Sequence, residues 1–169
     1  MSGIIGGGGS KSGVIRKHKG INEPAFYIEG GGADGTNEQV TAMGYNLIDW
    51  TTPVIDTAGY WVAGTNRYSP TDGVTRKYWV YCYLAFTTGD DIEPLVLNIQ
   101  KNDNQIFYSK HTNHLETTLF GYGIADLDGI DDYLNVYVYN PTSTPYEIMV
   151  HPSKTFFGGY ALDITKPFV

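Results

Sequence analysis

Four carboxylates fall within seven residues at Asp126-Leu127-Asp128-Gly129-Ile130-Asp131-Asp132, a dense cluster of hard oxygen donors of the kind that calcium prefers. The order departs from an EF-hand loop and lacks its bidentate glutamate, so a surface turn is the expected reading, with Asp126, Asp128 and Asp131 as the weak cation ligands. A second donor set is His111-x-x-His114 with Glu116. Imidazole is the commonest transition-metal ligand, but a lone pair of loop histidines is more often solvated unless symmetry brings several copies together. Nucleotide chemistry finds less support. Gly30-Gly31-Gly32-Ala33-Asp34-Gly35 fits Gly-x-Gly-x-x-Gly without the helix and βαβ unit that a dinucleotide site requires. Ser10-Lys11-Ser12 follows four glycines but lacks the glycine that precedes the lysine of a phosphate loop. Ser69, Ser109, Ser143 and Ser153 have no nucleophile motif around them, and His151 precedes Pro152 at what reads as a strand end. The expectation is a chain with no catalytic residues, no cofactor and no resident metal.

Composition points the same way. Fourteen Tyr, seven Phe and three Trp in 169 residues favour strands, while Gly and Pro punctuate the chain at short intervals. The net charge of −7 hides a split. Residues 1–20 carry Lys11, Arg16, Lys17 and Lys19 and no acidic residue, which leaves 7 basic against 18 acidic residues in the remainder, a balance of −11. An acidic body of this kind repels nucleic acid. Cys82 is the only cysteine, so an intrachain disulfide framework is excluded, and its place among Tyr78 to Leu84 reads as a buried structural thiol. No run approaches the roughly 20 apolar residues of a membrane-spanning helix. Ile4 and Ile5 are followed by glycines, without the apolar core of a signal peptide, so assembly in a cytoplasm is expected.

Two parts are expected: a glycine-rich extended arm over 1–20 and a β-domain over 21–169. Within the domain, Pro24 to Glu29 reads as a first strand, Leu47 to Ile55 as a second and Tyr60 to Val62 as a third. Lys77 to Thr87 is the clearest. Alternation puts Tyr78, Val80, Cys82, Leu84 and Phe86 on one face and Trp79, Tyr81, Tyr83 and Ala85 on the other, so both faces are apolar or aromatic. A strand like this is expected to meet a second subunit on its outer side. Leu95 to Gln100 and Gln105 to Tyr108 flank a hairpin turn at Lys101-Asn102-Asp103-Asn104. Leu115 to Gly123, Tyr133 to Tyr139, Tyr146 to Val150 and Phe157 to Ile164 complete a series of short, regularly spaced strands, an antiparallel sandwich or jelly roll.

From Leu95 onward the order of features resembles the C1q/TNF-type jelly roll. Leu97-Asn98-Ile99-Gln100-Lys101-Asn102-Asp103 is similar to that family's strand, Lys-Asn-Gly turn and returning strand. Leu127 to Val136 resembles its Leu-x-x-Gly-Asp-x-Val-x-Val step, and Ser153 to Leu162 its closing Ser-x-Phe-x-Gly-Phe-Leu strand. Arg67-Tyr68-Ser69-Pro70-Thr71-Asp72-Gly73 resembles the entry to the long central strand, so the likeness spans roughly 24–165. The resemblance implies compact homotrimers with aromatic-rich sheets facing the threefold axis, and Tyr78, Trp79, Tyr81, Tyr83, Phe156, Phe157 and Tyr160 as interface or core residues.

The arm departs from that family, whose extracellular members carry a collagen-like stalk or a membrane anchor. Met1 to Gly13 resembles instead the N-terminus of structural proteins of tailed bacteriophages. A Gly-Gly-Gly-Gly-Ser linker is the alternative, against which the imperfect repeat of Gly3-Ile4-Ile5 as Gly13-Val14-Ile15 speaks. The resemblances together imply a non-enzymatic virion structural protein, a decoration or cement trimer on the phage head. In this reading Ile4, Ile5, Val14 and Ile15 plug into the major capsid protein, and Lys11, Arg16, Lys17 and Lys19 make charge contacts. The alternatives are a fibre or spike tip that binds a host receptor or glycan through Tyr60-Trp61 or Tyr137 to Tyr146, and a soluble C1q-like or lectin-like binding module.

Overall fold

The computed structural model describes residues 24–30, 37–51, 53–87, 94–110, 118–149, 151 and 154–162. The arm residues Ile4, Ile5, Lys11, Val14, Ile15, Arg16, Lys17 and Lys19 lie outside the described residues, as do His111, His114 and Glu116.

Within them the chain forms β1 (Ala25–Glu29), β2 (Glu38–Val40), β3 (Gly44–Leu47), β4 (Pro53–Asp56), β5 (Trp61–Val62), β6 (Arg67–Tyr68), β7 (Arg76–Ala85), β8 (Val96–Lys101), β9 (Asn104–Lys110), β10 (Thr118–Leu127), β11 (Leu134–Asn140), β12 (Tyr146–Ile148) and β13 (Phe156–Leu162). One short 3₁₀ turn, Ala63–Thr65, sits between β5 and β6. The architecture is the expected antiparallel sandwich. One sheet has the order β10-β7-β13-β1-β4, and the other the order β5-β6-β11-β8-β9 with β3 also paired to β11. β12 and β2 form a separate two-stranded sheet.

Period-two alternation builds the core. Tyr78, Val80, Cys82 and Leu84 of β7 are fully buried between the sheets, facing Leu97 and Ile99 of β8 and Leu134, Val136 and Val138 of β11. Rings fill the centre. Phe26 stacks on Tyr68 with centroids 3.9 Å apart, and Phe157 meets Phe26 edge-on at 5.1 Å. The Cys82 thiol is free, and desolvation holds its pKa well above the ordinary value.

The β8–β9 connection is a two-residue turn, with Asn102 at φ 51° and Asp103 at φ 61°. Those left-handed angles are what a tight hairpin needs, and Asn and Asp tolerate them better than most side chains. Asn102 then ties the turn to its neighbour: its Nδ2 donates to Asp132 at 2.6 Å and its Oδ1 accepts from the Tyr133 N–H at 2.9 Å.

Two expected strands differ by more than a residue or two at their ends. Leu47 to Ile55 is not one strand, because the chain leaves the second sheet after Ile48, whose N–H still donates to Val136 O at 3.0 Å, crosses at Asp49-Trp50 and enters the first sheet at Pro53. Side chains from elsewhere satisfy the backbone at the crossing. The Glu38 carboxylate accepts the Asp49 N–H at 2.9 and 3.1 Å, and Asn66 Oδ1 accepts the Trp50 N–H at 2.9 Å. The strand expected to end at Gly123 continues to Leu127, since Ile124, Ala125, Asp126 and Leu127 stay paired with β7.

Glu38 makes stability depend on pH. Burial, the largest cause, and the nearby Asp49 charge raise its pKa from 4.5 to about 7, against the opposing Asp49 N–H. The folded state therefore holds the Glu38 proton more tightly than the unfolded chain, and this stabilisation is complete below about 4.5 and lost as pH rises through about 7. Glu38→Gln keeps an acceptor for the Asp49 N–H and removes the titration. Urea unfolding should show the variant gaining on the parent at pH 8 relative to pH 5; an equal difference at both pH values would contradict this account.

Candidate functional site

The outer face of the first sheet is the unusual surface of this molecule. Register sets its rows: Trp79 lies between Ile124 and Tyr160, Tyr81 between Tyr122 and Gly158, and Tyr83 between Phe120 and Phe156. Tyr27 continues the central row on β1, with Ile55 beyond it on β4. The rings form one continuous band. Tyr83 and Phe156 stack at 5.4 Å, Tyr27 meets Phe156 at 5.6 Å, Trp79 stacks on Tyr122 at 5.2 Å, and Tyr122 reaches around the sheet edge to Phe107 at 5.8 Å.

Gly158 makes room for this packing. A Cβ there would sit 2.7 Å from Tyr81 Oη, so glycine lets the Tyr81 ring lie flat on the sheet. Burial against the neighbouring rings pushes the Tyr27 and Tyr81 phenols above their ordinary range, so both stay neutral hydrogen-bonding groups. The band is only half covered. Ile55, Phe120 and Tyr122 are each 47% exposed and Ile124 is 56% exposed. Contiguous apolar surface of this kind makes the face the candidate contact site. One end is closed by the Lys77–Asp126 ion pair at 2.7 Å, itself exposed and worth little to stability.

The sequence-derived interface or core residues divide between two environments. Trp79, Tyr81, Tyr83, Phe156 and Tyr160 lie on this outer face, half-buried, whereas Tyr78 and Phe157 point inward and are fully buried. Phe120, Tyr122 and Ile124 belong to the band but were not among the expected residues. Their alternation with Leu119, Gly121, Gly123 and Ala125 is the signal that would have found them.

The acidic run is divided between a strand and the expected turn. Asp126 is on β10 and pairs with Lys77, away from the turn. Asp128, Asp131 and Asp132 do converge, with carboxylate oxygens within 4.8 Å of one another. Asp128 and Asp132 already hold donors from the protein itself. Asp128 Oδ1 accepts the N–H groups of Ile130, Asp131 and Asp132 at 2.9, 3.3 and 3.2 Å, and these bonds, that of Ile130 first, hold the carboxyl below its ordinary range. Burial opposes ionisation of Asp132, but Lys101 Nζ at 2.7 Å, Asn102 and the Asp128 N–H outweigh it. The turn thus carries an internal cation in Lys101.

Of the loop aromatics, Tyr60 and Trp61 are committed to packing. Tyr60 meets Tyr68 edge-on at 6.0 Å, and Trp61 packs against the core.

No protein-family model matches the chain, and no curated protein matches it in sequence. Solved structures do match. The chain is similar to murine APRIL, with a TM-score of 0.56 and 14% identity over 82% of this chain and 98% of that one. The fold is a TNF/C1q-like jelly roll. The globular domain of zebrafish complement 1qA protein matches with a TM-score of 0.55 and 13% identity, covering 81% of this chain and 95% of its own. An Eiger TNF from S. frugiperda matches at 0.53 and 16% identity, covering 86% and 96%. In this TNF/C1q-like frame the aromatic band occupies one broad face, and the Asp128–Asp132 turn joins β10 to β11.

Lys101→Met should leave Asp132, whose side chain is 9% exposed, without its counter-charge and lower stability by on the order of 2 kcal/mol. Because the Asp132 pKa is depressed, its contribution is present above the ordinary carboxylate value and lost as pH falls through the folded value. The gap in urea midpoints between parent and variant should therefore be full at pH 7 and narrow in acid.

Proposed function

We propose that this chain is a non-enzymatic virion structural protein, a homotrimeric head that decorates the capsid of a tailed bacteriophage and is attached by its N-terminal arm. The observation that carries the reading is the aromatic band. Half-exposed Phe120, Tyr122, Ile124 and Ile55 on an otherwise ordered sheet need a cover, and a second and third copy of the same chain supply one with matching chemistry. The resemblance to C1q/TNF heads, which form compact trimers, favours that arrangement over a hetero-partner. A cyclic trimer uses a heterologous contact, in which the band of one copy receives the β9–β10 edge of the next, where Phe107 and Tyr122 stack.

The arm supplies the second half of the reading. Its glycines permit close backbone approach to a partner, Ile4, Ile5, Val14 and Ile15 offer apolar plugs, and four basic residues suit an acidic capsid surface. The domain itself, at −11, is poorly matched to any nucleic acid.

Phe120→Lys with Ile124→Lys changes two half-exposed side chains and spares the core. Light scattering should find the parent trimeric and the double variant monomeric, with unchanged circular dichroism; a monomeric parent, or a variant that remains a trimer, overturns the interface. Deleting residues 2–20 should abolish capsid binding in a particle co-sedimentation assay while leaving the trimer mass intact apart from the deletion. Retained binding overturns attachment through the arm.

A further inference from the structure

The outer face of the second sheet is chemically unlike that of the first. Tyr45, Gln100, Asp103, Gln105 and Tyr137 line an open groove of about 340 Å³, within the range of roughly 300–1,000 Å³ that small-ligand sites occupy. Its members come from β3, β8, β9, β11 and the Asn102-Asp103 turn, so the groove forms only in the folded sheet. We infer that this groove binds a neutral carbohydrate, with the Tyr45 and Tyr137 rings as the platform and Gln100, Gln105 and Asp103 as the hydroxyl-recognising groups.

Three features favour that ligand class. The first is the platform: Tyr45 is 65% exposed, and its ring is braced against Tyr139 with centroids 4.6 Å apart and planes at 33°. A supported, solvent-facing ring suits the C–H face of a sugar, which is apolar on one side and polar at its rim. The second is Asp103. Its Oδ2 accepts from Tyr133 Oη at 2.7 Å and its Oδ1 from Asn135 Nδ2 at 3.0 Å, while Arg67 Nη2 lies 3.8 Å away. The Tyr133 and Asn135 hydrogen bonds, with Arg67 adding to them, hold its carboxyl below the ordinary range. Each carboxylate oxygen keeps a second lone pair for a ligand hydroxyl. The third is selectivity by charge. Arg67 sits over the Tyr133 ring at 3.8 Å and offsets Asp103 locally, so the groove does not call for a cation, and the acidic body disfavours anions. Carboxamides that can both donate and accept are matched to hydroxyls, not to hydrocarbon. The groove is also on the sheet opposite the aromatic band.

The test is an amide chemical-shift titration of the full chain with maltohexaose, cellohexaose, mannohexaose and chitohexaose, alongside a heparin hexasaccharide. At least one neutral sugar should move the resonances of Tyr45, Gln100, Gln105 and Tyr137 together, and heparin should not. Tyr45→Ala, a change at an exposed position, should weaken that binding by roughly tenfold, as expected for about one ring contact, and Tyr45→Phe should retain it. No response to any neutral sugar, shifts that map elsewhere, equal binding of heparin, or a Tyr45→Ala variant that binds like the parent would each overturn the proposal.

Discussion

The pairing of Arg76–Ala85 with both of its neighbours is the constraint on which the first sheet depends, and polarity does not set it. In most half-buried strands a slip of one residue is prohibitive because it drives polar side chains into the core. Here such a slip would exchange Val80, Cys82 and Leu84 with Trp79, Tyr81 and Tyr83, apolar for aromatic. Shape has to do the selecting. Gly159 lies opposite Val80, and a Cβ there would come within 2.8 Å of Phe26 Cε1, while Gly158 lies opposite Tyr81 and leaves room for its ring. The two adjacent glycines serve opposite faces of one strand. Together they admit the Phe26 ring to the core and the Tyr81 ring to the outer band in a single register.

Much of this was legible in the sequence, where the determinants are local. Alternation in Tyr78 to Phe86, the Asn102-Asp103 turn and the closing strand through Phe157 depend on neighbours within a few residues. The fold class followed from them. The misreadings have long-range causes. Leu47 to Ile55 looks like one apolar strand because the groups that release it from the second sheet, Glu38 and Asn66, are 11 and 16 residues away from the amides they cap. Asp126 looks like part of an acidic turn because Lys77, 49 residues earlier, is invisible as its partner until the strands are paired. The strands β2 and β6 are three and two residues long and exist through their partners β12 and β11.

The candidate sites follow the same division. Half of the aromatic band could be read from β7 and β13 alone. The polar groove could not, because Arg67, Asp103, Tyr133 and Asn135 reach one another only across the sheet and its turns. The two outer faces thus share an aromatic composition while differing in what surrounds the rings. On one sheet the neighbours are other rings and Ile124, a surface matched to protein. On the other they are carboxamides and a fixed carboxylate.

Cys82 gives this architecture a built-in reporter. It is the only thiol of the chain, it faces the core from the strand that both neighbours clasp, and water does not reach it. A thiol reagent attacks the thiolate, which requires both access and ionisation, and the closed sandwich denies both. Modification of Cys82 thus counts the moments at which the two sheets separate. The molecule carries its own clock for global opening, one that fraying at the sheet edges does not advance.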